Sequence, residues 1–112
     1  MGKYAIGEFE EVVLLTVAIL YENAYGISIK SEIEERLNRK VSVGAMRTAL
    51  TRLEKKGFLL SEFGEATAVR GGKRKRYYKV TQAGKAALEY VRESRNKLWE
   101  AVPGVAFDFK FA

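Results

Sequence analysis

The sequence predicts a mainly α-helical domain that also contains one small β-hairpin. Its 112 residues suit a single domain, and a hydrophobic fraction of 47% with a charged fraction of 30% is typical of a globular protein with a buried core. Four segments carry apolar residues at helical spacing, and two short β-prone segments flank a glycine-containing loop. Together these observations predict three helices, then a hairpin, then a final helix.

The first predicted helix covers residues 8–22. Three glutamates open it, at the end where negative charge interacts favourably with the helix dipole. Apolar residues then follow on nearly all sides, so two faces of this helix have to be covered. In so small a protein we expect a second subunit to cover one of them, with Phe9 and Val13 as candidate interface residues. A buried strand is the alternative, but about 14 residues without a turn signal favour a helix.

The second predicted helix covers residues 27–38 and follows a break at residues 23–26, where a glycine permits a turn. Its apolar residues Ile29, Ile33 and Leu37 recur every four positions, and charged residues occupy the outer side. This pattern is typical of a helix with one buried face.

The third predicted helix, residues 43–56, follows Ser42, a favoured N-cap residue, and ends before Gly57, which suits the position after a helix C-terminus. Its outward face is small, polar and basic, the mixture that a helix needs to enter a nucleic-acid groove and form hydrogen bonds there. An ordinary solvated helix surface has a similar composition. The inward residues are Met46, Ala49, Leu50 and Leu53. The candidate DNA-binding residues are Ser42, Gly44, Arg47, Thr48, Thr51, Arg52 and Lys55.

Two β-prone segments, residues 58–63 and 76–81, predict a hairpin, and a Gly-Gly pair at 71–72 marks its turn. Cations crowd the loop near this turn, where they repel one another unless counter-charge arrives. Tyr77 and Tyr78 point to opposite faces of their strand, so at most one of them belongs to the core. The candidate DNA-binding residues of the hairpin are Lys73, Arg74, Lys75 and Arg76.

The last predicted helix covers residues 82–101 and is capped by Thr81. An apolar stripe along it spans about two heptads, too few for a convincing coiled coil but enough for a helix-pair contact between two subunits. Trp99 lies beside the stripe and is interpreted as an interface or core anchor in preference to a ligand-stacking residue. The candidate interface residues of this helix are Leu88, Val91, Leu98, Trp99 and Val102.

After Pro103, apolar residues alternate along residues 105–111, and three phenylalanines share one face. This period of two predicts a short strand, or a segment that packs against the body of the protein or against a partner subunit. A disordered terminus is the alternative, but the exposure of three phenylalanines would be unfavourable.

The chain contains no cysteine and no histidine. Their absence excludes disulfides, thiol chemistry and metal sites built from sulfur or imidazole, and it removes the commonest general base of enzymes. The glutamates lack a Gly-rich phosphate loop nearby, so we expect no catalytic residue, no metal and no cofactor. The apolar run at residues 12–21 is about half of what spans a bilayer, which predicts a cytoplasmic protein without a membrane segment.

The net charge of +6 is unevenly distributed along the chain. Residues 39–56 contain six cations and one acid, residues 66–80 contain six cations and no acid, and all other residues together are net −5. A surface charged only for solubility needs no such separation, whereas a surface that binds a polyanion does. The two basic segments coincide with the third helix and the hairpin.

This order of elements predicts a winged helix-turn-helix with a C-terminal dimerisation helix. In such a fold the third helix enters the DNA major groove, and the hairpin, or wing, contacts backbone phosphate or the minor groove. The chain is then divided into a DNA-binding domain at residues 1–81, a dimerisation helix at residues 82–102 and a Phe-rich tail at residues 103–112.

Over about residues 5–102 the chain also resembles the PadR-type transcriptional regulators. The resemblance implies a homodimeric repressor that binds double-stranded DNA, with the first and last helices forming the dimer. It also allows a small hydrophobic effector between the subunits. Arg47 stands where relatives usually have tyrosine, and an arginine suits guanine or phosphate better. The matching motifs are GEFEEVVLL at 7–15, AYGI at 24–27, VSVG at 41–44, LTRLEKKG at 50–57, RGGKRKRYYKVT at 70–81 and AG at 83–84.

The predicted function is sequence-specific regulation of transcription, with two third helices about 34–36 Å apart on a near-palindromic operator. One alternative is a protein–protein adaptor that retains the fold and uses the Phe-rich tail as its working surface. Another is an RNA-binding protein, because phosphate contacts do not distinguish the two polymers and Tyr77 or Tyr78 could stack on bases.

Overall fold

A computed structural model describes residues 4–64 and 74–110 of the chain. These residues form four α-helices and an antiparallel hairpin, which confirms the predicted winged helix-turn-helix architecture. Within the same ranges, no helix is long and apolar enough to cross a membrane. The elements are α1 (Glu8–Leu20), α2 (Gly26–Leu37), α3 (Val43–Lys55), β1 (Leu59–Phe63), β2 (Arg76–Val80) and α4 (Gln82–Ala101), with 3-10 turns at Tyr21–Asn23 and Gly104–Phe107.

Polar side chains and one glycine fix the helix ends that the sequence predicted. The Ser42 hydroxyl accepts a hydrogen bond from the Ala45 amide at 3.0 Å, and the Thr81 hydroxyl accepts one from the Gly84 amide at 3.0 Å. Each bond satisfies an amide that the first turn of a helix leaves unpaired. Gly57 follows α3 with a φ of +80°, a conformation that other residues rarely adopt.

The first helix ends earlier than its apolar pattern predicts. Tyr21 adopts a φ of 53° and a ψ of −108°, which terminates α1 and starts a 3-10 turn. The glycine expected to form the turn, Gly26, is instead the first residue of α2. The Ser28 hydroxyl accepts a hydrogen bond from the Tyr25 amide at 2.9 Å and so caps the start of α2.

Side chains from every helix and from β1 form the core. From α1 come Val13, Leu14 and Val17, each at most 1% exposed. The four inward residues predicted for α3 are all buried, which confirms the orientation of that helix. Consequently its opposite face is turned to solvent. The other buried apolar residues are Ala24, Ile29, Ile33, Val41, Phe58, Leu59 and Ala87.

The wing is attached to the body through a third backbone segment. β1 and β2 pair so that Ser61 lies opposite Tyr78. Tyr25 forms an antiparallel bridge with Tyr77, and the Tyr78 amide donates to the Ala24 carbonyl at 2.8 Å. The Tyr78 side chain packs against the core, whereas the Tyr77 ring meets the Tyr25 ring edge-on, with centroids 5.5 Å apart. The two tyrosines therefore have different environments, as their alternation predicts.

The second half of α4 extends away from the body. The described residues have a radius of gyration of 17.5 Å, compared with about 13 Å for a compact chain of this length. Of the two forms predicted for the tail, the strand is wrong, because Gly104–Phe107 form a 3-10 turn. The Phe107 ring turns back onto Trp99 at the end of α4, with centroids 5.9 Å apart. The tail therefore folds back toward the end of α4 as a turn and does not extend as a strand.

Candidate nucleic-acid interface

The outward face of α3 is the first part of the site. All the residues predicted there are exposed, while the inward face packs against α1 and α2. The helix is thus fixed on one side and open on the other, as groove binding requires. The exposed residues are Ser42, Gly44, Arg47, Thr48, Thr51, Arg52 and Lys55.

One side of α3 faces the wing across a cleft of about 380 Å³, here called the wing cleft. Arg47 and Thr51 line it from α3, and Lys75 and Arg76 line it from the wing. The structure therefore brings residues predicted separately on the two elements to one place. Tyr25, Lys30 and Tyr78 complete the polar lining of the cleft.

The remaining predicted residues of α3 border a second, wider groove. Gly44, Thr48, Arg52 and Lys55 line this groove together with Phe9 at the start of α1. The small residues Gly44 and Thr48 leave room for a ligand to approach the helix backbone closely. Cations therefore lie on both sides of a narrow row of small side chains.

Of the four predicted wing cations, the structure describes Arg74, Lys75 and Arg76. Lys73 lies outside the described residues, as does the turn predicted at 71–72. Arg74 and Lys75 are both exposed. The Lys75 ammonium lies 4.2 Å from the centroid of the Tyr25 ring, which is a cation–π contact. This contact directs Lys75 along the edge of the wing cleft.

Arg76 is the first residue of β2 and lies opposite Phe63, the last residue of β1. One guanidinium nitrogen lies 3.9 Å from Glu54 Oε1, and the guanidinium carbon lies 4.7 Å from the centroid of the Phe63 ring. The Ser61 hydroxyl donates to Glu54 Oε2 at 2.6 Å. Burial raises the pKa of the Tyr78 hydroxyl, an effect that Arg76 partly offsets, so Tyr78 is a neutral group at neutral pH.

The electrostatics of the wing cleft favour an anion. Lys30 forms an ion pair with Glu34 at 3.1 Å, but Arg47 and Lys75 have no acidic partner in the parts of the chain that the structure describes. The same parts contain no group of three acidic side chains that could hold a metal ion. Unpaired cations that line one cleft attract a polyanion, because each contact with a phosphate releases counterions.

Sequence reasoning missed three residues of this region: Tyr25, Lys30 and Glu54. Tyr25 reaches Lys75 only through the pairing of the loop before α2 with β2, which no local pattern reveals. For Glu54 a signal did exist, since it is the only acid in the basic segment at residues 39–56.

Of the predicted dimer residues, Leu88 and Val91 lie in the first half of α4 and Leu98 and Trp99 in its second half, and Val102 follows the helix. Leu98 and Trp99 are 71% and 66% exposed, whereas Leu88, Val91 and Val102 are half-buried. An exposed leucine beside an exposed tryptophan on a helix that leaves the body is typical of an interaction surface.

One of the two dimer residues predicted in α1 needs correction. The assignment of Val13 is wrong, because this side chain is 0% exposed and packs inside the core of its own subunit. Phe9 is half-buried on the side of α3, where the Arg39 guanidinium lies 5.2 Å from its ring centroid. The large exposed apolar residues of α1 are instead Leu15 and Ile19.

A groove of about 420 Å³ separates α1 from α4. Leu15, Leu88 and Trp99 contribute its apolar lining. Arg95 of α4 lies 3.7 Å from Glu11 of α1 and holds the two helices together across the groove. Leu15 of α1 and Trp99 of α4, both exposed, therefore border the same groove.

Comparison with known proteins identifies a family with these features. Residues 14–90 match the model of the Transcriptional regulator PadR-like family. An uncharacterised protein of Lysinibacillus sphaericus is 36% identical over 90 residues, which are 78% of each chain.

Solved structures with the same fold include proteins described as PadR regulators. A PadR-like transcription factor from Bacteroides fragilis is 29% identical with a TM-score of 0.69, over 82% of this chain and 84% of that one. A PadR family transcription regulator from hypervirulent Clostridium difficile is 28% identical with a TM-score of 0.60, over 80% of this chain and 91% of that one. A PadR family transcriptional regulator from Eggerthella lenta, 24% identical, shares the fold with a TM-score of 0.68 over 90% of this chain and 88% of that one.

Proposed function

The chain belongs to the PadR-like family of transcriptional regulators, and we propose that it is a homodimeric repressor that binds a near-palindromic operator in double-stranded DNA. The wing cleft supports this proposal most strongly, because Arg47 and Thr51 of α3 face Lys75 of the wing there. A groove-binding helix and a phosphate-binding wing have to lie side by side to hold one duplex.

In this proposal α3 is the recognition helix. Its outward residues are small enough for the helix to enter a major groove of about 12 Å width. Arg47 is the candidate for a bidentate contact to guanine, and Thr48 and Thr51 are candidates for base or phosphate contacts. Arg52 and Lys55 would neutralise phosphates on the groove walls.

The wing supplies affinity that does not depend on sequence. Lys73, Arg74 and Lys75 would neutralise backbone phosphates, and each such contact steepens the dependence of affinity on salt by about 0.9 in the logarithmic slope. The phosphate contacts of the wing would then help to orient the protein on the duplex, while the preference for particular bases would depend on α3.

The dimer would form through residues 82–102, which include α4, together with α1. The exposed Leu98, Trp99 and Leu15 support this arrangement, since a second copy would remove their apolar surface from water. Two recognition helices about 34–36 Å apart would then match successive major grooves. A small hydrophobic effector between the subunits would contact Trp99.

Binding of a labelled duplex with an operator obtained by selection from genomic fragments tests this function. Arg47→Ala should weaken specific binding about 5- to 150-fold and relax the base preference at one position. Lys97→Ala, which removes an exposed cation of α4, is the matched control and should change neither. Unlabelled duplex DNA, and not RNA of the same sequence, should displace the label. Equal losses of duplex binding in Arg47→Ala and Lys97→Ala would contradict a role for Arg47 of α3 in base recognition.

A second candidate function is a protein–protein adaptor, which the exposed aromatic cluster of Trp99, Phe107 and Phe109 favours. Removal of residues 103–112 distinguishes the two. A regulator should still bind duplex DNA after this truncation, whereas an adaptor should lose its protein partner.

A further inference from the structure

Arg76 differs from Arg74 and Lys75 in the contacts that its side chain makes within the subunit. We infer that Arg76 is a positioning residue and not a phosphate contact, and that together with Glu54 and Ser61 it sets the place of the wing relative to α3. These three residues are here called the Glu54 cluster. The inference rests on the proposed DNA-binding function and refines the set of residues that would touch DNA.

The Glu54 cluster joins three elements through one carboxylate. Glu54 lies in the last turn of α3, Ser61 lies on β1 and Arg76 lies on β2. The Ser61 hydroxyl donates to Glu54 Oε2 at 2.6 Å, and Arg76 lies 3.9 Å from Glu54 Oε1. Both strands of the wing are therefore fixed to the end of the recognition helix.

Glu54 needs a cation at this position. A carboxylate in the last turn of a helix meets the negative end of the helix dipole, and on a surface that faces DNA it also repels phosphate. Arg76 is the cation that the structure places beside it, and the Phe63 ring covers a face of the same guanidinium. Arg76 thus has an acidic partner and an aromatic contact within its own subunit.

Arg74 and Lys75 are in a different situation. They immediately precede Arg76, both are exposed, and neither forms an ion pair with any residue in the described parts of the chain. They are therefore candidates for contact with phosphate, and they lie directly before Arg76, the first residue of β2. The basic segment at residues 74–76 then contains two contacting residues and one positioning residue.

Hydrogen exchange of the Gly64 amide tests the cluster without DNA. This amide donates to the Lys75 carbonyl at 2.8 Å, so its exchange reports opening of the wing next to Arg76. Glu54→Gln and Arg76→Ala should each accelerate exchange of the Gly64 amide about three- to tenfold. Because the two substitutions break the same contact, the amide of the double variant should exchange little faster than that of either single variant. Glu62→Gln, at an exposed site on β1 outside the cluster, is the control. Unchanged exchange in both cluster variants would overturn the inference.

The salt dependence of operator binding tests the same inference with DNA. Lys75→Ala should lower the logarithmic salt slope by about 0.9, as expected for the loss of one phosphate contact. Arg76→Ala should weaken operator binding while its salt slope equals that of the wild type. An equal loss of slope in both variants would make Arg76 a phosphate contact and refute its positioning role. A wild type that bound no duplex would refute the proposed function, and exchange at Gly64 would still decide the role of Arg76.

Discussion

The Glu10 carboxylate of α1 accepts a hydrogen bond from the Lys56 ammonium at 2.8 Å, which joins the start of the first helix to the residue that follows the recognition helix. The same carboxylate oxygen accepts from the Gly7 amide at 3.0 Å, and Lys56 also donates to the Ala5 carbonyl at 3.2 Å. Only 8% of Glu10 is exposed. The end of α3 is therefore held against α1 by a nearly buried charge.

Replacement of Glu10 should lower the stability of the fold more at neutral pH than at acidic pH. Burial opposes ionisation, but hydrogen bonds from Lys56 and Gly7 outweigh it and hold the pKa of Glu10 below its ordinary value of 4.5. A lowered folded-state pKa means that the carboxylate stabilises the fold above pH 4.5, and that this contribution is lost as the pH falls through the folded-state pKa. Glu10→Gln should lower the free energy of unfolding by about 1–3 kcal/mol at neutral pH.

Urea unfolding at neutral pH and again well below the ordinary carboxyl pKa measures this difference. The difference in the free energy of unfolding between wild type and Glu10→Gln should be smaller at the lower pH. Glu22→Gln, at an exposed site, should differ little from wild type at either pH. A gap of the same size at both pH values would contradict the role assigned to the charge.

Gly84 allows α4 to approach the segment before β1. A Cβ at this position would lie 2.4 Å from the Phe58 carbonyl oxygen, which belongs to the backbone and cannot rotate away. Gly84→Ala should therefore lower the free energy of unfolding by about 1–3 kcal/mol in thermal unfolding. Gly44→Ala is the control, because nothing lies within 4 Å of its Cβ, and it should leave stability unchanged or slightly raised. An equal effect of the two substitutions would refute the close packing of α4.

The end of α1 is a site where stability should rise. Tyr21 holds a φ of 53° although it has a Cβ, and its side chain is 72% exposed, so little burial compensates for the strain. Tyr21→Gly should raise the free energy of unfolding by about 0.5–1 kcal/mol. Tyr21→Ala keeps the Cβ while removing the ring, so it should bring no such gain. The comparison of the two by urea unfolding separates backbone strain from the loss of the ring.

The exposed half of α4 should control assembly. Leu98→Glu places a charge in the proposed apolar interface and should weaken dimerisation by at least tenfold, as measured by sedimentation velocity over a range of concentrations. Lys97→Glu changes the charge at the neighbouring, exposed position and should leave the dimer largely intact. A Leu98→Glu variant that remained dimeric would remove this part of α4 from the interface.

Local patterns in the sequence predicted α3 almost completely. Its start at Ser42, its end before Gly57 and its buried face follow from capping, backbone freedom and apolar spacing, all of which act within a few residues. The exposure of the basic face follows from the burial of the opposite one. The candidate recognition surface was therefore within reach of sequence reasoning.

Sequence patterns did not predict the features that depend on packing between distant segments. Val13 and Leu15 are both apolar and lie two positions apart on α1, yet the first is in the core and the second is 45% exposed, because the orientation of the helix relative to its neighbours decides which side is buried. The attachment of the wing through Tyr25 and Tyr77 depends on pairing between distant segments. The tail forms a turn in which the Phe107 ring contacts Trp99, and alternation of apolar residues does not indicate this contact.

Selection of random genomic duplex fragments with the purified protein at two salt concentrations is the decisive measurement. The proposed function predicts recovery of one inverted-repeat motif, with half-sites about one helical turn apart, that persists at the higher salt concentration. Recovery of bulk DNA at low salt alone, with no enriched motif at either concentration, would contradict sequence-specific regulation by this protein.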